Sequence, residues 1–177
     1  MLQRRRGRLI GARRITVTAM LMILSLFCLY LSSIIPTNRI TFYVLSSLFV
    51  AALLIEGEQA LAWLHYIGVS ILALVLLQDK LRLVPYLALF GNYGIIKYHL
   101  EKIRNAPTRI IGKLVYFNFT LIIMYLSARQ ILMSEIKVAL PVWVIMLAAQ
   151  VLFLIYDYVF TRLIEFYDFR IRKYVIR

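Results

Sequence analysis

The chain has 177 residues, is 63% hydrophobic, and carries 21 lysines and arginines against 8 acidic residues, a formal net charge of +13. An ordinary soluble domain is roughly 45–50% apolar, and a short chain has too much surface to hide a larger share from water. A water-soluble globular domain, and the enzyme classes built on one, are therefore excluded; so is disorder, which requires low hydrophobicity.

A basic arm occupies residues 1–14, with Arg4, Arg5, Arg6, Arg8, Arg13 and Arg14. An uncharged run follows at 15–35. About 20 apolar residues cross the hydrocarbon core of a bilayer, so this run is a first span. It exceeds the roughly 7–15 residues of a signal-peptide core, and no small-x-small cleavage site follows it. It reads as a retained span with its amino end in the cytoplasm. Pro36-Thr37-Asn38-Arg39 is a tight polar turn.

The second span, 40–55, is short and closes on Glu56-Gly57-Glu58-Gln59. The third, 60–77, contains His65 and Gly68, and a polar break follows at 78–82. The fourth, 83–98, is the least regular, with Pro85, Gly91, Asn92, Gly94 and Lys97. Glycine and proline inside a span predict a kink or an unwound stretch lining a cavity. A polar connection at 101–109 leads to the fifth span, 110–128, and the sixth runs over 138–160. The tail, 161–177, alternates aromatic and aliphatic residues with Arg162, Arg170, Arg172, Lys173 and Arg177, the pattern of an amphipathic segment lying along the membrane face.

Six spans put both ends on one side. Sixteen of the 21 bases then share that side, in the arm, between Lys97 and Lys113, and in the tail. Excess lysine and arginine marks the cytoplasmic face, and such clusters also attract anionic lipid; nucleic acid is not the partner this placement implies. The turn at 56–59, with two acids and no base, is not explained by that rule. The expected fold is all-α: a polytopic membrane protein with a single six-helix transmembrane bundle over 15–160 and both termini cytoplasmic.

No H-E-x-x-H, G-x-S-x-G, P-loop or Rossmann glycine pattern is present, so no enzymatic activity and no cofactor is expected. The single cysteine, Cys28, has no disulfide partner within the chain. Two distant histidines and one cysteine do not make the four ligands of a structural zinc site.

Polar groups at membrane depth are costly and face a cavity or a partner. Five residues are nominated as ligand contacts: Glu56, Glu58, His65, Asn92 and Tyr93. Glu56 and Glu58 either pair with a cation, such as a substrate or Lys97, or form a hydrated interfacial turn. His65 lies two helical turns after Glu58, so one face can carry both; bonding to a neighbouring helix is the alternative. In Phe90-Gly91-Asn92-Tyr93-Gly94 the glycines permit close approach of backbone, and Asn92 and Tyr93 suit a neutral or zwitterionic small molecule. Close helix packing through small residues explains the same segment. Lys97 is expected to snorkel to the headgroups, and Asp157 to pair with Arg162 or a base of the amino arm.

The layout, and the run Arg14-Ile15-Thr16-Val17-Thr18-Ala19-Met20-Leu21-Met22 after a basic stub, resembles the substrate-binding S components of energy-coupling factor vitamin transporters. The family's small-x-x-x-small alanine pattern is absent, since Ile23 follows Ala19 by four, and the Pro36–Arg39 turn is shorter than its first external loop. The resemblance implies a bacterial cytoplasmic-membrane subunit that binds a small vitamin-like nutrient, with an energising ATPase and a coupling membrane subunit as partners. The alternative is a non-transport accessory or scaffold protein packed against another membrane protein. A polar cavity open to the outer face distinguishes the first, a filled bundle the second.

Overall fold

The computed structural model describes residues 11–132 and 142–166, and their regular elements are helices. The basic arm up to residue 10, the segment 133–141 with the expected start of the sixth span, and tail residues 167–177 lie outside the described residues. Helix α1 spans Gly11–Ile34, and a single 3-10 turn at Pro36–Asn38 leads into α2, Arg39–Ile55. Helix α3 is Gln59–Leu76. Helix α4, Lys80–Pro85, runs through a π-helical turn at Tyr86–Phe90 into α5, Gly91–Leu100. Helix α6 is Ala106–Leu132 and α7 is Val142–Phe166.

Four segments are long and apolar enough to cross a membrane: Arg14–Ile34, Gln59–Leu76, Ala106–Ser127 and Met146–Phe166. Helix α2 is apolar but has only 17 residues. At 1.5 Å per residue that is about 26 Å, short of the hydrocarbon thickness by a few ångströms. It lies at the centre, packed on α1, α3, α5 and α7. Small residues on it (Ser46, Ser47, Ala51, Ala52) are buried and let neighbouring backbones approach.

The surface is inverted relative to a soluble protein. Large apolar side chains such as Ile23, Val75, Val115 and Leu152 face outward, while Ser25, Ser46, His65, Lys97 and Lys113 are buried. An apolar solvent makes this the favourable arrangement, because a polar group facing hydrocarbon finds no partner there.

The turns have local causes. Helix α2 ends at Gly57, whose φ of 83° lies in the left-handed region. The Gly57 N–H donates to Leu54 O (3.0 Å) and the Glu58 N–H to Leu53 O (3.0 Å). This is a Schellman closure, and it explains why glycine sits between the two glutamates. Asp79 caps α4 by accepting from the Arg82 N–H at 3.4 Å. Pro85 supplies no N–H, yet the helix is not unwound: the π turn that follows absorbs the disruption, so residues 80–100 form one irregular rod. The fifth predicted span begins earlier than expected, at Ala106, because Pro107 fits a first helical turn. Helix α7 continues through Thr161 to Phe166, past the expected end of the sixth span.

Side-chain contacts sort the helix ends into two groups. At one end Arg14 Nη1 meets Glu58 Oε1 at 3.1 Å, and Gln59 Nε2 donates to Tyr98 OH at 3.0 Å. At the other, Arg82 Nη1 donates to Ser33 O at 3.1 Å, and Tyr43 OH to Arg82 O at 2.5 Å. Helices α1, α2, α3 and the 80–100 rod thus run alternately up and down.

Two glycines on α5 differ in what surrounds them. A Cβ on Gly91 would lie 2.7 Å from the Tyr66 ring and 3.0 Å from Tyr86 O, whereas one on Gly94 would sit at 3.6–3.8 Å from its neighbours. Gly91→Ala is expected to destabilise by about 1–3 kcal/mol through overpacking, and Gly94→Ala to be neutral or stabilising by up to about 1 kcal/mol from helix propensity. Thermal unfolding of both variants in detergent checks this order; equal midpoints would refute it.

Candidate functional site: a buried ionic cluster

The most unusual chemistry lies where α5, α6 and α7 meet. Tyr93, Lys97 and Glu101 follow at four-residue intervals on one face of α5 and its C-terminal turn. Asp157 and Thr161 are one turn apart on α7, and Lys113 projects from the first half of α6. The Lys97 side chain is 2% exposed. Its ammonium contacts the Asp157 carboxylate directly, donates to Thr161 Oγ1 (2.6 Å) and Asp157 O (3.1 Å), and lies 3.4 Å from Glu101 Oε1. Lys113 Nζ donates to Asp157 Oδ2 (2.7 Å) and meets Glu101 Oε1 at 3.3 Å. Tyr93 OH donates to Asp157 Oδ1 at 2.5 Å.

Two ammonium groups thus share two carboxylates, and Asp157 accepts from three donors. Aromatic rings enclose the site: Tyr93 packs on Tyr156, Phe160 and Phe153, and Lys97 Nζ lies 5.8 Å from the Tyr93 centroid and 5.7 Å from that of Phe160. With all three Lys97 protons engaged, the arrangement holds three helices together as a structural clamp.

This corrects two expectations. Lys97 does not snorkel to the headgroups; a buried counter-charge and hydroxyl hold it inside. Asp157 does not pair with Arg162, which instead meets Glu165 Oε2 at 3.1 Å on the exposed face. Arg14 of the amino arm pairs with Glu58; the arm's other arginines lie outside the residues whose side chains are described.

The five nominated residues do not converge on one site. Tyr93 belongs to the clamp. Asn92, one position earlier, faces α6, where its Oδ1 accepts from Tyr116 OH at 2.5 Å. His65 is fully buried and its Nε2 lies 2.9 Å from Ser25 Oγ, joining α3 to α1. Glu58 takes the Arg14 guanidinium, and Glu56 is buried at the end of α2 rather than hydrated. Lys113, Glu101 and Thr161 were not nominated; the signal for Lys113 was a lone cation inside an apolar helical run.

Compared with known proteins, the chain matches no family model, no curated protein and no solved structure. Its own geometry therefore carries the argument. Among the described residues no group of three or more His, Cys, Asp or Glu is placed to hold a metal ion.

A second feature is a cleft of about 320 Å3 between the 80–100 rod and α6. Val84, Leu87, Ala88 and Asn92 form one wall, and Tyr116, Phe119, Thr120, Ile123 and Ser127 the other.

Removing one member of a buried ion pair strands the other charge, at about 3–5 kcal/mol, while replacing the pair by apolar residues is often neutral. Asp157→Leu is expected to destabilise by about 3 kcal/mol, leaving two buried lysines to share the half-exposed Glu101, and Lys97→Met with Lys113→Met in the same chain to recover most of it. Unfolding midpoints of the single, double and triple variants test this; additive losses would show that the three groups do not act as a unit.

Proposed function

We propose that the chain is a six-pass protein of a bacterial cytoplasmic membrane, with both termini on the cytoplasmic side, acting as a non-catalytic accessory or scaffold protein that packs against another membrane protein. The observation that carries this reading is a filled interior. Leu29, Tyr43, Val69, Tyr86, Phe90 and Phe153 are buried in one contiguous apolar cluster. Polar atoms of Glu58, His65, Asn92 and Tyr93 are engaged by other parts of the chain. Such a bundle offers its lateral surface for interaction, where helices associate by packing and interhelical hydrogen bonds. Six crossings are supported by the alternation of helix ends, with the irregular 80–100 rod and α2 completing the count, and the sidedness by the placement of the bases; the basic termini suit anionic lipid.

A second reading, the substrate-binding subunit of a vitamin-like nutrient transporter energised by a partner ATPase and coupling subunit, is favoured by the cleft beside Asn92. Substituted-cysteine labelling separates the two. In a Cys28→Ala background, cysteines at Ser47, Ala51 and Tyr93 are expected to resist a membrane-impermeant thiol reagent from either side of sealed vesicles. Rapid labelling of these positions would reveal a water-filled path, refute the accessory reading and support transport. Reporter fusions at each terminus are expected to report a cytoplasmic location; a signal from the outer side would overturn the topology.

A further inference from the structure

Asn92 and Tyr93 are adjacent in sequence, and successive helical residues are turned by about 100°. Tyr93 points into the clamp with α7, so Asn92 points into the cleft against α6. The cleft has a structural cause. Pro85 interrupts the ladder of hydrogen bonds and the π turn at Tyr86–Phe90 widens the helix there, while Ala88 supplies little side chain to fill the space. Tyr116 spans the gap at one end: its hydroxyl meets Asn92 Oδ1 at 2.5 Å and lies 3.1 Å from Ala88 O.

Polar groups in this cleft are incompletely used. Tyr116 engages the oxygen of the Asn92 amide, and no hydrogen bond among the described residues engages its nitrogen. Thr120 gives its proton to Phe117 O at 2.8 Å, leaving its oxygen as acceptor only. Ser127, at the other end of α6's wall, makes no hydrogen bond among the described residues. From Tyr116 to Ser127 the wall is about 16 Å long at 1.5 Å per residue. No charged side chain lines it, so an ionised group entering it would lose hydration without compensation. Its rim includes Phe119 and Ile123, both exposed on the apolar outer face. A volume of about 320 Å3 is at the small end of the roughly 300–1,000 Å3 typical of ligand sites.

We propose that this cleft binds a neutral, bilayer-dissolved molecule carrying a carbonyl oxygen, admitted sideways from the lipid, with the Asn92 amide nitrogen donating to that oxygen. The apolar walls take the hydrocarbon part. Of the two donors in the cleft without a partner among the described residues, the Asn92 amide nitrogen and the Ser127 hydroxyl at the far end of the wall, the first selects an acceptor over a plain hydrocarbon. The inference concerns occupancy of the cleft and rests on neither reading of the protein's role.

4-Decylbenzophenone is both a probe of this class and a photocrosslinker. Purified full-length protein in nanodiscs is irradiated with it and the adducts are mapped by mass spectrometry. Adducts are expected to concentrate on the α6 wall between Tyr116 and Ser127. Decyl phenyl ketone is expected to compete about tenfold better than decylbenzene, the ratio expected from one hydrogen bond. In Asn92→Leu that ratio falls to about one while labelling persists, and Ala88→Phe, which fills the cleft and spares Asn92, abolishes labelling there. If either variant fails to fold, the competition in the wild-type protein still decides. Equal competition by ketone and hydrocarbon, or adducts spread evenly over the outer faces of α1, α6 and α7, would overturn the proposal. So would protection of the cleft in native membranes by a neighbouring helix, the mark of a protein occupant.

Discussion

Asp157 lies between Lys97 and Lys113, and the packing of the carboxyl-terminal third depends on that arrangement. Helix α7 buries only 11% of its most apolar window, so apolar contact alone does little to fix its rotation or depth. In lipid the apolar driving force between helices is weak, because a side chain loses little by facing acyl chains. A charge is different: moving α7 by one turn would take Asp157 away from both ammonium groups, leaving it unpaired and the two lysines with Glu101 alone. The same residues that make the cluster costly to build therefore make every alternative register costlier. The rings of Tyr93, Tyr156 and Phe160 pack together beside Lys97, which is 2% exposed, and the low local polarity strengthens its attraction to Asp157.

The clamp also accounts for the character of the 80–100 rod. This segment carries the residues least suited to a membrane span, Pro85, Asn92 and Lys97, and yet it is helical throughout. Each awkward group is met by a particular neighbour: Lys97 by Asp157 and Thr161, Asn92 by Tyr116, and the disturbed backbone near Pro85 by a change of helical pitch. Tyr66 OH donates to Leu87 O at 2.8 Å and Tyr116 OH lies within reach of Ala88 O and Leu89 O. Two tyrosines, from α3 and α6, thus serve the carbonyls of the π turn, where the regular α-helical ladder is interrupted. A rod of this composition is stable because the bundle surrounds it with hydroxyl groups.

What the sequence made legible follows from this division of labour. The long uncharged runs of α1 and α6 announce themselves because lipid imposes one simple requirement on every residue. The Glu56-Gly57-Glu58 turn was readable because only glycine closes a helix in that way without strain. Pairings were not readable. Lys97 and Asp157 are 60 residues apart, and hydropathy assigns each of them to the nearest interface; only packing reveals that they neutralise one another. Glu56, Glu58, His65, Asn92 and Tyr93 were grouped because each is polar and near a span. That criterion cannot distinguish a side chain aimed at a ligand from one aimed at the next helix, and four of them, Glu58, His65, Asn92 and Tyr93, bond to neighbouring helices.

The contrast between Asn92 and Tyr93 shows how one rod serves two purposes. Their side chains leave α5 in directions set by the helix alone, so the orientation that carries Tyr93 to Asp157 necessarily carries Asn92 toward α6. The π turn at Tyr86–Phe90 lies between the 91–100 segment, which meets α7, and the 80–85 segment, which meets Ser33 and Tyr43 at the opposite end. A π turn holds one residue more than an α turn and so rotates the faces that precede and follow it relative to one another. The cleft lies beside that turn, lined by Leu87 and Ala88 from within it.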